Sequence, residues 1–281
     1  MTKQEILKKI LNEIDNIPPI PANIIKVKQL INNPNSSISN ISVYVKRDPA
    51  LTADLLRIAN SAWYMTRTKV GTVERAITTI GLSQLETLIL TIGAKKVLSE
   101  RYMAMEEIWE HSYKCAFYSQ FLAKMKNLRD ELENAYTAGL LHDIGKLILL
   151  SLTPHLVERI TNLGSSQNIP IHEIERLALG ISHAQIGERV AAHWNFPSKL
   201  AVAIGHHHEP RLTKEEWIPL TYTTYLSNIL CKVTAGNIPV LALIDAKVLE
   251  YFGIDSEKKL ETINNTLEEF YRTVGEVQKT A

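Results

Sequence analysis

Apolar residues recur at three- and four-residue spacing along almost the whole chain, the period of a helix with one buried face. Ile6, Leu7, Ile10, Leu11 and Ile14 form the first such stripe, and Thr2 with Glu5 predicts a capping box that opens it. The proline-rich turn IPPIP (17–21) precedes a second stripe through Ile24, Ile25, Val27 and Leu30. Pro34 and the Asn/Ser cluster after it break the pattern, and Ile38, Ile41 and Val45 restart it. Asp48-Pro49 is a helix start signal, with Asp as N-cap and Pro at the first helical position; Leu51, Leu55 and Ile58 follow. Val73, Ala76, Ile77 and Ile80 make the next stripe, closed by Gly81. Ser83 and Glu86 predict another capping box, ahead of Leu85, Leu88, Ile89 and Ile92. Only Val43–Val45 and Ile238–Leu243 look strand-like, and both fit buried helix equally well. The pattern predicts an all-α chain without repeats, low-complexity tracts or flexible linkers. The polar stretch SERYMAMEE (99–107) is the candidate boundary between a histidine-free part and a part holding all nine histidines.

Length and composition sharpen this picture. A chain of 281 residues makes one large domain or two modest ones. With 45% hydrophobic residues it can bury a core, and disorder is not expected. The net charge of +1, with acids and bases mixed, lacks the basic footprint of a dedicated nucleic-acid binder. The helix-Gly-helix segment 73–92 has the outline of a DNA-reading helix-turn-helix. Its second helix, SQLETLILTI, offers no Lys or Arg to phosphates or guanine edges, so DNA is not an expected partner. Cys115 and Cys231 are far apart in sequence, which suggests neither a disulfide framework nor a cysteine-based zinc site and fits a reducing cytosol. The N-terminus is amphipathic rather than a signal peptide, and no run of about 18 apolar residues occurs. A cytoplasmic protein without a membrane span is expected.

The candidate chemistry lies in GLLHDIGKL (139–147), where His142 and Asp143 interrupt an apolar run. A buried charge without a partner is costly, so the doublet calls for a hydrogen-bond donor, a cation or a metal ion. Glu107 and His111, four apart on a predicted helix, share one face. His183 follows in GISHAQIGERV, and His206, His207 and His208 in GHHHEP. Imidazole with carboxylate is a ligand set for Zn, Fe, Mn or Ni rather than Ca, and a helical bundle can gather such ligands from distant positions. Each residue taken singly has a plainer role. Asp143 could cap a helix or pair with Lys146, the triple histidine could be an exposed loop, and His155, His172 and His193 have no supporting pattern. The combination in one order is what points to a metal centre.

That order resembles the HD superfamily, whose signature is His…His-Asp…Asp, and more closely its HDOD branch. The likeness covers nearly the whole chain. It runs through IPPIPANIIKVKQLI, RDPALTADLLRIANSAWY and VERAITTIGLSQLETLIL, then IWEHS, AGLLHDIGKL, SHAQIGERVAAHWNFP and AVAIGHHHEP. It implies an all-helical HDOD unit, with an N-terminal helical part (1–105) packed on an HD-like bundle (106–281) that carries the histidines. HDOD proteins are associated with bacterial signalling and regulation, and many have lost HD catalytic residues and act through partners. Their HD-GYP sisters cleave cyclic di-GMP at a site of two or three metals.

Carried over residue by residue, the resemblance places metal ligands at His111, with Glu107 a turn before it, and at His142, Asp143, His183, His207 and His208. The pair His207–His208 is aligned by Glu209-Pro210, which leaves His206 as an extra. The final aspartate falls on Asn228 in YLSNIL, a neutral oxygen in place of an anion. The GYP element is absent, with RLTKEEW in its place. Asp143 and Lys146 are the candidate catalytic pair, the lysine being able to meet a phosphate as a point charge. The expected cofactor is one or two divalent transition ions (Fe, Mn, Zn or Ni). The expected function is regulatory, through a protein partner, and the alternative is a phosphohydrolase acting on a nucleotide or other phosphoester.

Overall fold

The computed structural model describes residues 2–60, 64, 66, 68–102, 106–167, 169–232 and 241–279, with side chains for all of these but 106 and 273–279. The regular elements among them are helices: α1 (Lys3–Asp15), α2 (Ala22–Ile31), α3 (Ile38–Val45), α4 (Pro49–Ala59), α5 (Val73–Ile80), α6 (Leu82–Arg101), α7 (Glu106–Met125), α8 (Leu132–Leu141), α9 (Ile144–Leu152), α10 (Pro154–Gln167), α11 (Ile171–Leu179), α12 (His183–His193), α13 (Ser198–Gly205), α14 (Ile218–Leu230), α15 (Ala246–Phe252) and α16 (Glu257–Lys279). No strand occurs among the described residues, and the chain is all-α.

Contacts divide the chain into two compact units, Pro19–Arg101 with Asn265–Ala281, and Met1–Pro18 with Tyr102–Asn264. In the first, α2 packs on α3 and α6, and α5 on α3, α4 and α6. Its core holds Ile24, Val27, Ile41, Val45, Leu51, Leu55, Ile77, Leu85 and Ile89, all buried. Each such side chain contributes roughly 1.5–3 kcal/mol on burial. Asp48 caps α4 with Pro49 at its first position, as expected.

The start of α6 differs from expectation. Gly81, at φ 87°, closes α5 and the next helix begins at Leu82, so Ser83 lies inside α6 rather than at its cap. Ile58 and Ile92 are only half-buried, and their neighbours Ala59 and Gly93 face inward. Val43–Val45 is helical, whereas Leu241–Leu243 form a 3-10 turn and 238–240 lie outside the described residues. Positions 61–63 and 103–105, within the RDPALTADLLRIANSAWY and SERYMAMEE segments, also lie outside them.

In the second unit, α1 opens with the Thr2–Glu5 capping box and buries Ile6, Ile10 and Ile14 against α9, α11 and α12. Helix α7 packs along α8 and α14, and α12 lies on α9 and α13. Three glycines set how closely these helices approach. A Cβ on Gly139 would sit 2.6 Å from the Cys115 carbonyl oxygen, one on Gly145 2.0 Å from that of His183, and one on Gly187 2.8 Å from Ile204. Gly139 and Gly145 bracket the His142-Asp143 doublet, so the segment GLLHDIG is pressed against α7 on one side and the start of α12 on the other.

A candidate metal centre around Asp143

His142 is the residue that follows α8 and Asp143 the residue before α9. Asp143 occupies an N-cap position, yet its side chain makes no capping bond. Its carboxylate is 1% exposed and turned into the bundle. Oδ1 lies 3.3 Å from Nε2 of His183 and 3.7 Å from Nε2 of His207. Oδ2 lies 3.2 Å from Nε2 of His142, 3.7 Å from Nε2 of His111 and 2.7 Å from the ammonium of Lys146. One aspartate therefore faces four imidazoles brought by α7, α8, the start of α12 and the segment after α13. His208 completes the Oδ1 side, with its Nε2 3.0 Å from that of His183.

Outer partners fix the rings. Nδ1 of His142 donates to the Gly139 carbonyl at 2.7 Å and that of His207 to the Ile204 carbonyl at 2.6 Å. Nδ1 of His183 donates to the buried Glu175 carboxylate at 2.6 Å, and the same oxygen takes the His183 backbone N–H at 2.8 Å. Such bonds hold each ring with Nε2 toward the centre and raise its basicity as a ligand.

Nε2 of His142, Nε2 of His207 and Oδ1 of Asp143 are buried and find no hydrogen-bond partner among the described residues. An unmet buried polar atom costs roughly 1–3 kcal/mol, and a single cation would satisfy several of these together. The donor set fits such an ion. Asp143, His183, His207 and His208 each present a ligand atom, all within 4.8 Å of one another, and so do His111, Cys115 and His142.

The electrostatics reflect this crowding. Burial opposes charge on Asp143, but His142 and Lys146 outweigh it and hold the carboxyl well below the usual range. Burial likewise opposes charge on His142, and the Asp143 carboxylate overcomes it, raising the imidazole to about 10. His207 and His208 are pushed well below the ordinary histidine value, by burial first and by neighbouring histidines second. His111 is lowered by burial. Burial also pushes the Cys115 thiol up, but a hydrogen bond with Cys231 and the positive His142 bring it well below the usual thiol range.

The structure gathers His111, His142, Asp143, Lys146, His183, His207, His208 and Asn228. Oδ1 of Asn228 lies 3.1 Å from Nε2 of His111. Glu107 is exposed and belongs to neither ligand group, because the face it shares with His111 turns outward one turn earlier. His155 and His193 are exposed. His172 stacks flat on His208, with ring centroids 4.4 Å apart, and so lines the centre. Sequence reasoning missed His172, Glu175 and Cys115. The signals for them were local: His172 and Glu175 sit three apart on α11, and Cys115 four after His111 on α7.

A helical bundle that closes several histidines around one His-Asp doublet defines a protein of the HD type. The chain belongs to the HDOD family, whose domain matches residues 17–210. A 29% identical relative in Treponema pallidum (strain Nichols), an uncharacterized protein, matches over 264 residues, 94% of this chain and 51% of its own. The chain thus spans about half the length of that relative. Among solved structures it is similar to a Shewanella amazonensis SB2B protein named a "putative phosphohydrolase" (25% identity, TM-score 0.72, 96% of this chain and 97% of the other). It also shares its fold with an HDOD domain protein of Geobacter sulfurreducens (20% identity, TM-score 0.74, 97% of both chains). Among the described residues no single helix is long and apolar enough to cross a membrane.

Proposed function

We propose that the chain is a signalling or regulatory protein that works by binding a protein partner and retains a divalent transition-metal site with a structural or sensing role. The observation that carries the metal site is Asp143 itself. A buried carboxylate at a helix start, unused for capping and ringed by imidazoles, with the other nitrogens of His142, His183 and His207 already tied down, is suited to meet a cation. His111, His142, Asp143, His183, His207 and His208 would hold the ion or ions. A bound divalent ion would polarise a phosphoryl oxygen and activate water near neutral pH. Asn228 supplies a neutral oxygen where the HD pattern has an anion, and Lys146 already neutralises Asp143. Both reduce the negative charge available to a catalytic cluster and favour the binding role.

A phosphohydrolase acting on a nucleotide or other phosphoester is the second reading. The near-complete histidine set and the likeness to the Shewanella amazonensis protein support it. Metal-loaded full chain assayed on cyclic dinucleotides, nucleotides and a generic phosphodiester separates the two. Bound metal without turnover is the expected result. Turnover that Asp143→Ala abolishes would replace the regulatory reading with the hydrolytic one.

A further inference from the structure

The His111 side of the centre contains a thiol that the HD pattern does not use. Cys115 lies one turn beyond His111 on α7, on the same face, and is fully buried. Its Sγ and a ring nitrogen from each of His111 and His142 lie within 4.8 Å of one another. His142 is 0% exposed, and its Nε2, 3.2 Å from Oδ2 of Asp143, makes no well-formed hydrogen bond among the described residues. Two consecutive residues of α14 back the group. Asn228 touches His111 at 3.1 Å, and the Ser227 hydroxyl lies 3.1 Å from Sγ of Cys115. A divalent ion held on this side by His111, His142 and Asn228 would meet three neutral donors and only a share of the Asp143 carboxylate.

Resting on the metal-site reading above, we propose that Cys115 is a metal ligand: with His111 and His142 it forms a second, softer ion position beside that of Asp143, His183, His207 and His208, and its thiolate supplies the negative charge that Asn228 lacks. The thiol proton leaves to solvent when the ion binds. The Ser227 hydroxyl, which now donates to the Thr224 carbonyl at 2.9 Å, is placed to turn and donate to the thiolate instead. A His2Cys set selects zinc or cobalt over magnesium and manganese at this position. The distance in sequence between Cys115 and Cys231 conceals this role, since the partners of Cys115 are histidines from two helices.

Cobalt(II) titration of the metal-stripped full chain tests it. The expected spectrum has a near-ultraviolet sulfur-to-cobalt charge-transfer band. Cys115→Ser should lose that band and bind one fewer ion per chain, while keeping the visible bands of cobalt held at the Asp143–His183 position. Cys231→Ser, the neighbouring thiol, should keep the band. The band of the unsubstituted chain is itself a readout that needs no variant to fold. Cobalt uptake without a thiolate band, a band that survives Cys115→Ser, or one lost in Cys231→Ser alone would each overturn the proposal and leave the first position standing. No uptake of any transition ion would instead defeat the metal-site reading from which it starts.

Discussion

Asp48 and Asp143 both stand at the residue before a helix, and they are used in opposite ways. Asp48 spends its carboxylate locally. Oδ1 accepts from the backbone N–H groups of Ala50 and Leu51 at 3.0 and 3.1 Å, and Oδ2 from the Asn23 side chain at 2.8 Å. Asp143 leaves the start of α9 uncapped and sends both oxygens inward to histidines from positions 111, 142, 183 and 207. The first aspartate serves the helix it precedes. The second gives up that service, worth about 1 kcal/mol, for an arrangement that only the folded bundle can assemble. At Asp143 the missing cap bond goes with these inward contacts.

The largest effect that would break this contrast comes from Gly145, next but one to Asp143. In Gly145→Ala the new methyl would overlap the His183 carbonyl oxygen at 2.0 Å, so backbone must move. Overpacking of this kind costs about 1–3 kcal/mol, and the movement displaces His183 itself. Calorimetric titration should show divalent-metal affinity reduced by roughly 100-fold or more, at the upper end of what loss of a supporting partner causes. Unchanged affinity and melting temperature would mean that α9 and α12 are not held as closely as described.

Glu175→Gln comes next. It keeps the size of the side chain but removes the charge that accepts from His183 Nδ1, and metal affinity should fall by roughly 10–100-fold with helicity intact. An affinity equal to that of the unsubstituted chain would reduce Glu175 to a packing residue.

How much of this was legible in advance follows from the range of each interaction. The stripes of α1, α5 and α6, the caps at Thr2 and Asp48 and the all-α class rest on neighbours within four residues, and the sequence carries them. The Ser83 cap failed because Gly81 turns the chain tightly enough for α6 to begin at Leu82, two residues before a Ser83 cap would start it. At the site, the order of histidines singled out the residues that converge, but not what Asp143 does with each oxygen. Glu107 looked equivalent to His111 on periodicity, and only packing distinguishes the exposed turn from the buried one. Glu175 and His172 escaped notice because their partners, His183 and His208, are supplied by other segments.

A smaller effect is expected in the pH dependence of the metal-free protein. His207 and His208 are held below the ordinary value of 6.5. The unfolded chain therefore binds more protons below that pH, and stability is lost as the pH falls. His142 acts with the opposite sign. Its folded value of about 10 exceeds 6.5, so its contribution is complete below 6.5 and is lost as the pH rises toward 10. Chelator-treated protein should show a melting temperature that is highest near pH 6.5 and declines on both sides. A melting temperature that climbs steadily from pH 6 to 10 would contradict the charged His142–Asp143 pair.

The smallest effect belongs to the other aspartate. Asp48→Ala removes the α4 cap at about 1 kcal/mol, a shift of roughly 2–4 °C in melting temperature for a protein of this size. Metal content should be untouched. A loss of metal in this variant would erase the distinction between the two helix starts.

The most direct test of the whole account is elemental analysis of the full chain purified without chelator, alongside Asp143→Ala. At least one divalent transition ion per chain, absent from the variant while its helicity persists, is the predicted result. An ion-free unsubstituted chain that also fails to take up zinc, iron, manganese or nickel on addition would show that the Asp143 cluster is a buried ion pair and not a metal centre.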